Sequence, residues 1–417
     1  MKNICHNYPC ICMKKRLLIC LSWIILCLHA SGVEKDTIKV KGLFYLDGDP
    51  VLLSISGGKI VKIDRLPTGE DPVIYVAPGL IDLQINGYMG VDFSDQHLTT
   101  EKMRKATEAL WKEGVTTFLP TVITNHQDSL MVSFTLLAEA LSDNEVALSV
   151  PGFHLEGPYI SPLPGFRGAH LEKYIRPANW NEFSALQQAA DNGIRLITLA
   201  PEVSGAMVFI RQCSEAGVLV SLGHHNGNSG IIKQAADAGA SLSTHLGNGC
   251  ANLIHRHDNP LWPQLAEDRI TATLIADGFH LNREEIQCFF RIKGVERTVL
   301  VSDALDLAGL PPGEYIRGER KVLLTADVAR FPAEDVLAGA ASPLTSGVSN
   351  MMAYTGCSLG EAIQMASTNP ARLLGLDDRG EIGPGKRADL ILFTIKNNRI
   401  IIQQTMVAGK VVYTKID

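Results

Sequence analysis

Short apolar runs alternate with amphipathic stretches through the middle of this chain. Helical spacing of apolar residues is found over Glu101–Glu113, Asn181–Asn192 and Glu284–Lys293. The apolar runs between such stretches predict strands, because they are short and bounded by turn residues. Eight strands are predicted in this way: Val76–Leu83, Val115–Thr121, Ala147–Leu155, Arg195–Ala200, Val218–Leu222, Ser241–Leu246, Ile270–Ala276 and Thr298–Ser302.

A strand followed by a helix, repeated around eight strands, is typical of a (β/α)8 TIM-like barrel, which is an α/β fold. An open doubly wound sheet is the alternative, but no G-x-G-x-x-G sequence follows the first strand. In a barrel the carboxyl ends of the strands meet at one mouth, where the chemistry takes place. We expect the barrel to span residues 76–385.

The two ends of the chain differ in pattern from the middle. Residues 38–63 alternate in short β-like runs that are separated by Asp47-Gly48 and Gly57-Gly58. The tail segments GPGKRADLILF and MVAGKVVYTKI also give a Pro-Gly turn followed by two strand-like runs. We therefore expect residues 33–75 and 386–417 to form one small β-sandwich beside the barrel.

The first residues have the layout of a secretory signal peptide. Lys14, Lys15 and Arg16 precede an apolar run over Leu17–Leu28, and small residues follow it. The run is shorter than the roughly 20 residues that a membrane-spanning helix needs. A signal peptide over residues 1–32 predicts a periplasmic or exported protein, with a cytoplasmic location as the alternative if translation or cleavage differs. Cys27 is either an ordinary apolar signal-peptide residue, which we favour, or a lipidated cysteine.

Charge and cysteine usage limit the class of partner. A formal charge of −6 without a long basic run argues against nucleic-acid binding, so a small molecule is the expected partner. Five of the nine cysteines fall in the leader. The others are Cys213, Cys250, Cys288 and Cys357, and their spacing fits neither a metal site nor a disulfide framework.

Nearly every predicted strand ends in a polar residue. These residues are Gln84 with Asn86, Thr121, Glu156, Glu202, His224, His245, Asp277 with His280, and Asp303. Any one of them is as readily a helix cap or a hydrogen-bonded core residue, but together they predict one polar mouth. Two histidines and a carboxylate from separate strands suit a catalytic zinc or iron, and Glu156, His224 and His245 fit best. Asp303 is the candidate proton acceptor.

A series of motifs resembles one enzyme family. In order they are APGLIDLQINGYMG, HLEGPYISP, SLGHH, STHLGNG, IADGFH, LVSDA and LAGAASPL. They are similar to those of the amidohydrolase superfamily, and specifically of the N-acetylglucosamine-6-phosphate deacetylases, over about residues 38–412. The resemblance implies a metal-dependent barrel that carries a small β-sandwich built from both chain ends. It also implies hydrolysis of N-acetylglucosamine 6-phosphate to glucosamine 6-phosphate and acetate.

The resemblance assigns roles to individual residues. Glu156, His224 and His245 would hold the metal, while Asp303 would act as the catalytic base and then as the acid. Substrate contacts are implied for His170, Asn248, Gly249, Arg256 and His280, with Arg256 on the phosphate. Asp277 would shape the loop that presents His280.

Gln84 and Asn86 stand where many amidohydrolases have an H-x-H pair that binds a second metal. Neutral amides are poor zinc ligands beside imidazole, so one divalent ion, Zn or Fe, is predicted. The two amides are expected to hydrogen-bond the substrate or a water at the metal. Similar enzymes are commonly homodimers, which is the expectation for this chain.

Departures from the family pattern keep other functions open. The segment HLGNGCANLIHRHDNPLWPQ differs from the usual sequence after the third ligand. Sugar phosphates are also chiefly cytosolic, whereas the leader indicates export. The alternative is an exported amidohydrolase that deacetylates an unphosphorylated N-acetyl sugar or an N-acyl amino acid. A non-catalytic sugar-binding barrel is a further alternative, although the intact set of predicted ligands and Asp303 argues against it.

Overall fold

The computed structural model describes residues 37–67, 74–317, 320–325, 328–333 and 336–416. The signal peptide predicted over residues 1–32, including Cys27, lies outside the described residues. No helix within the described ranges combines the length and the apolar character needed to cross a membrane.

The amino-terminal strands belong to a small sheet outside the barrel. They are β1 (Ile38–Phe44), β2 (Pro50–Ser56), β3 (Lys59–Arg65) and β4 (Tyr75–Pro78). Buried residues alternate with more exposed ones along β2, as expected for a sheet with one covered face. Strand β1 pairs antiparallel with β2 and parallel with β4.

Eight parallel strands form the barrel. The barrel strands are β5 (Leu80–Ile85), β8 (Val115–Ile123), β9 (Phe153–Glu156), β10 (Ile194–Leu199), β11 (Leu219–Leu222), β12 (Leu242–Ser243), β13 (Thr271–Leu274) and β14 (Thr298–Leu300). Between β5 and β8, the short strands β6 (Gly87–Tyr88) and β7 (Val91–Asp92) form a separate hairpin. Main-chain hydrogen bonds from Asp303 N to Gln84 O (2.9 Å) and from Asn86 N to Ala304 O (2.8 Å) join the last strand to the first. The predicted barrel is confirmed.

Helices follow the barrel strands. They are α1 (Thr100–Lys112), α2 (Gln127–Ala140), α3 (Asn144–Ser149), α4 (Trp180–Ala189), α5 (Ala206–Glu215), α6 (Ser229–Ala238), α7 (Leu261–Ala266) and α8 (Arg283–Lys293), with a 3-10 turn at Glu172–Tyr174. Short polar side chains begin several of them: Thr99 caps α1, and Asn282 with Glu285 forms a reciprocal capping box at α8. The three predicted helices are confirmed with slightly different ends.

The strand predicted over Ala147–Leu155 is partly wrong. Its first residues lie in helix α3, and the strand itself begins at Phe153. The side chain of Asp143 accepts hydrogen bonds from the N–H groups of Glu145 and Val146, so it caps this helix. An apolar run of this length suits a short buried helix as well as a strand, and the cap favours the helix.

A four-stranded antiparallel sheet, here called the mouth sheet, follows the last barrel strand. It consists of β15 (Gly313–Arg317), β16 (Arg320–Leu324), β17 (Val328–Phe331) and β18 (Val336–Ala340). Leu305, Val322 and Phe331 are buried in one apolar cluster against which Ala169 packs. The mouth sheet therefore rests on loops that leave the carboxyl ends of barrel strands β9 and β14.

The chain ends beside its beginning. Helices α9 (Leu344–Thr355), α10 (Leu359–Ala366) and α11 (Thr368–Leu374) lead into β19 (Leu390–Lys396), β20 (Arg399–Val407) and β21 (Lys410–Thr414). Strand β19 pairs with β4, so both ends of the chain form one seven-stranded sheet in the order β21-β20-β19-β4-β1-β2-β3. The prediction that the two ends build one small β unit is confirmed.

Candidate metal centre and active site

The four residues expected to carry the chemistry lie at the carboxyl ends of barrel strands. Glu156 is the last residue of β9, and His224, His245 and Asp303 follow β11, β12 and β14. The last three have left-handed backbone φ angles of 53°, 31° and 49°. This conformation is costly for a residue other than glycine and persists where the surrounding structure enforces it, often at functional sites.

Glu156, His224 and His245 form a compact group of potential metal ligands. One ligand atom from each residue lies within 4.8 Å of the others. The Nε2 atoms of His224 and His245 approach Oε1 of Glu156 at 3.2 and 3.1 Å. All three side chains are buried, and two imidazoles with one carboxylate match the donor set of catalytic zinc and iron sites.

The surroundings of His224 prepare this side chain for a metal. Its Nδ1 donates a hydrogen bond to the carbonyl oxygen of Phe166 (3.1 Å), which leaves the lone pair on Nε2. Gly168 and Gly249 lie against the ring, where an added Cβ would be 2.9 Å from Cε1 and 2.8 Å from Nδ1, respectively. The tautomer and the position of the ring are thus both fixed, and the residues present fit a divalent ion.

His170 lies against His224 in the same cavity wall. The Nε2 atoms of the two rings are 3.2 Å apart, and the ring planes meet nearly edge to face. Burial is the main cause that lowers the pKa of His170 to about 3, and the neighbouring imidazole of His224 adds to the effect. His170 is therefore neutral near pH 7, and its buried Nδ1 has no partner among the described residues. One ring nitrogen of a neutral imidazole remains a donor.

The two carboxylates of the site have opposite pKa shifts. Burial raises the pKa of Glu156, but the imidazoles of His224 and His245 at its carboxylate outweigh burial and hold this pKa well below its usual range. Burial raises the pKa of Asp303, and the negative charge of Glu156 adds to the effect. Glu156 is thus suited to remain an anionic ligand, while Asp303 is suited to hold and release a proton.

Gln84 and Asn86 donate hydrogen bonds to these carboxylates, and Gln84 connects the two. Nε2 of Gln84 donates to Oε1 of Glu156 (2.9 Å) and to Oδ1 of Asp303 (3.2 Å). Nδ2 of Asn86 donates to the same Oδ1 of Asp303 at 2.7 Å. The two amides therefore present N–H groups, which have no lone pair for a metal, toward the acidic residues.

A cavity of about 430 Å³ opens over the predicted metal ligands. Of the predicted site residues, its wall contains Asn86, Glu156, His170, His224, His245, Asn248, Gly249, His280 and Asp303. Gln84 lies just behind this wall, where it contacts Glu156 and Asp303. The structure thus brings together nearly every site residue that the sequence predicted.

His280 reaches the cavity on a loop shaped by Asp277, as expected. The carboxylate of Asp277 accepts hydrogen bonds from the N–H groups of Phe279 and His280 and from Nδ1 of His280 (2.7 Å). Because Nδ1 is engaged, Nε2 is the nitrogen of His280 that remains for a ligand in the cavity.

Arg256 does not join the other predicted substrate contacts. It is exposed in the loop after β12, its carbonyl oxygen accepts a hydrogen bond from Nε1 of Trp262 (2.9 Å), and it is not part of the described cavity wall. A contact between Arg256 and the phosphate stays a prediction.

Two arginines that the sequence did not single out line the cavity. Arg317 and Arg320 are cross-strand neighbours in the mouth sheet. Arg317 donates to Asp306 (2.9 Å) and pairs with Asp92 (3.2 Å), while the guanidinium of Arg320 lies 3.8 Å from the ring centroid of Phe331. The register that pairs the two arginines is not visible in the sequence.

Comparisons with known proteins agree with the geometry. The model of the amidohydrolase family matches residues 75–412. N-acetylglucosamine-6-phosphate deacetylase of Bacillus subtilis (strain 168) is 33% identical over 87% of this chain and 91% of its own length. N-acetylgalactosamine-6-phosphate deacetylase of Escherichia coli O157:H7 is 32% identical over 86% of this chain and 93% of its own.

Solved structures agree as well. N-acetylglucosamine-6-phosphate deacetylase of Thermotoga maritima superimposes with a TM-score of 0.80 at 31% identity, covering 91% of this chain and 100% of that one. A mutant of the Mycobacterium smegmatis enzyme in complex with N-acetyl-D-glucosamine-6-phosphate gives a TM-score of 0.82 at 27% identity with the same coverage. The resemblance seen in the motifs is confirmed, and the chain belongs to the amidohydrolase family.

Proposed function

We propose that this protein hydrolyses the acetamide of N-acetylglucosamine 6-phosphate, which yields glucosamine 6-phosphate and acetate. The observation that carries the proposal is the group Glu156, His224 and His245 in one cavity wall with Asp303. Metal-assisted amide hydrolysis needs such a ligand set together with a carboxylate that transfers protons. The relatives described above are named for 6-phosphate substrates, which disfavours an unphosphorylated sugar or an N-acyl amino acid.

The ligand set is suited to a single divalent ion, zinc or iron. Glu156, His224 and His245 supply one carboxylate and two imidazoles, which both metals accept. Gln84 and Asn86, at the positions of a second-metal pair in many amidohydrolases, offer N–H donors to acids instead. When bound, such an ion lowers the pKa of a coordinated water and polarises the amide carbonyl.

The residues of the chain supply proton transfer and orientation. Asp303 accepts a proton from the attacking water and returns it to the amine nitrogen as the C–N bond breaks. Neutral His170 offers a ring N–H to the carbonyl oxygen of the substrate. Nδ2 of Asn248 is buried without a partner among the described residues, so it is a donor for an oxygen of the sugar phosphate.

Acetate release from purified protein tests this function. The substrates are N-acetylglucosamine 6-phosphate, its C4 epimer N-acetylgalactosamine 6-phosphate and unphosphorylated N-acetylglucosamine, with Asp303→Asn protein as the control for contaminating host enzymes. We expect kcat/KM to be highest for the first substrate and lowest for the third. Equal kcat/KM with and without the phosphate would contradict the proposal, and preference for the epimer would reassign the sugar.

A further inference from the structure

Asp303 is held by two neighbouring amides through one of its two carboxylate oxygens. Asn86 Nδ2 and Gln84 Nε2 donate to Oδ1, at 2.7 and 3.2 Å. Their orientation follows from chemistry, because an amide oxygen turned toward a carboxylate would repel it. Among the described residues, no hydrogen bond to Oδ2 accompanies these two. Oδ2 is therefore the oxygen of Asp303 that remains for the proton.

The same residues are also joined through the backbone. Asp303 N donates to Gln84 O at 2.9 Å, and Asn86 N donates to Ala304 O at 2.8 Å. These bonds lie where the last strand of the barrel meets the first. The amides and the carboxylate consequently share one rigid piece of backbone, which fixes their mutual geometry independently of the loops of the mouth.

The side-chain amide of Asn86 also has an oxygen atom, Oδ1, which takes no part in the contact with Asp303. Its Oδ1 is buried and has no hydrogen-bond partner among the described residues, although Asn86 forms part of the cavity wall. A buried acceptor without a partner costs about 1–3 kcal/mol, so such an atom requires an explanation. Within one amide group Oδ1 lies beside Nδ2, and hence beside the carboxylate of Asp303.

We propose that Gln84 and Asn86 are positioning residues that fix Oδ1 of Asp303 so that Oδ2 carries the proton, and that Asn86 Oδ1 accepts the N–H of the scissile amide. The proposal rests on the function proposed above. A hydrogen bond from that N–H to Asn86 directs the nitrogen lone pair toward Asp303. Oδ2 then takes the proton of the attacking water as the C–O bond forms, and delivers it to this lone pair as the C–N bond breaks.

Gln84 extends the arrangement to the metal ligands. Its Nε2 also donates to Oε1 of Glu156 at 2.9 Å, so one amide links the proton carrier to a ligand. This contact explains why a long amide stands at position 84 and a short one at position 86. The longer side chain reaches two carboxylates, while the shorter one reaches only Asp303 and the cavity.

A double-mutant cycle tests the positioning role. Asn86→Leu removes the donor and the acceptor and keeps the same number of side-chain heavy atoms, and we expect kcat to fall about 10- to 100-fold, the range for one hydrogen bond to a charged group. In an Asp303→Asn background the same change should lower kcat by a clearly smaller factor, because the part of the loss that passes through Asp303 disappears and only the contact with the amide N–H remains to be lost. Equal fold losses in the two backgrounds would overturn the positioning role.

Asn369→Leu is the matched structural control. Asn369 is also a buried asparagine, but it donates to the carbonyl oxygens of Val295 and Thr298, at the opposite end of β14. Any loss of kcat caused by general destabilisation should be the same in both backgrounds for this control. If Asn86→Leu does not fold, Gln84→Met provides the same cycle, since it removes the second donor to Asp303.

Two further readouts separate the parts of the proposal. Metal content should be unchanged in Asn86→Leu, and calorimetric titration should show weaker binding of glucosamine 6-phosphate, whose ammonium replaces the amide N–H. Unchanged product affinity would overturn the acceptor role of Asn86. If wild-type protein hydrolyses none of the three amino sugars, the proposed function and this inference both fail. If wild-type protein is active but Asn86→Leu lowers kcat by the same factor in both backgrounds, only the positioning role is refuted.

Discussion

Replacing Asp82 by asparagine should change how the stability of the fold depends on pH. Asp82 is completely buried in barrel strand β5, directly beneath the active site. Its Oδ1 accepts hydrogen bonds from the N–H groups of Ser302 (3.1 Å) and Gln84 (3.3 Å). Its Oδ2 has no partner among the described residues. Burial is the main cause that raises the pKa of Asp82 to about 7.

The direction of the effect follows from proton linkage. An unfolded chain releases this proton near pH 4, whereas the folded protein keeps it up to about pH 7. Between these values the folded state binds more protons, so the stability contributed by neutral Asp82 is fully present below pH 4 and is lost as pH rises through 7. A separation of about three pKa units, at about 1.4 kcal/mol each, amounts to about 4 kcal/mol.

Urea denaturation at pH 5, 6, 7 and 8, with chelator present throughout, measures this effect. Asp82→Asn cannot ionise, so its free energy of unfolding should rise relative to wild type by about 2.5 kcal/mol between pH 5 and pH 8, because the rest of the effect falls below pH 5. Glu215→Gln, at the exposed end of α5, is the control and should show a constant difference from wild type. A difference between wild type and Asp82→Asn that does not vary with pH would refute the reasoning.

Four further predictions concern the site and the leader. Metal analysis should find about one zinc or iron per chain, and two tightly held ions would contradict the view that Gln84 and Asn86 do not bind a second metal. Asp303→Asn should keep its metal yet lose at least about 100-fold in kcat; near-normal turnover would exclude Asp303 from proton transfer. Arg256→Ala should raise KM at least about tenfold for the phosphorylated sugar and leave the bare sugar unaffected, and equal changes would mean that Arg256 does not contact the phosphate. Mass spectrometry of fractionated cells should find an exported protein that begins near residue 33, whereas an intact leader in the cytosol would exclude export.

The barrel and its group of potential metal ligands were predictable from two simple rules. Strands buried on both faces read as short apolar runs, and a polar residue at the end of such a run stands out. Glu156 and His224 follow such runs, and His245 follows a shorter strand of mostly small and hydroxyl residues. In a closed barrel these ends converge without further information, so the order of the strands was enough to bring the three side chains together.

The remaining features depend on contacts between segments that are distant in the sequence. The mouth sheet places Arg317 and Arg320 in the cavity through its strand register, which no local pattern reveals. The contact of Gln84 with Asp303 exists because the first and last strands of the barrel meet. The position of Arg256 is hard to predict because this residue lies in a long loop. The path of the loop depends on local contacts such as the hydrogen bond from Trp262 to the carbonyl oxygen of Arg256.

The pairing of β4 with β19 has a consequence for synthesis. Strand β4 ends at Pro78, with one residue between it and the first barrel strand, and Pro78 pairs with Leu390 near the end of the chain. A nascent chain therefore carries β4 with one open edge until almost all of its residues have left the ribosome. Open strand edges invite association with other chains, so a product truncated before Leu390 is an aggregation hazard even though its barrel strands are complete.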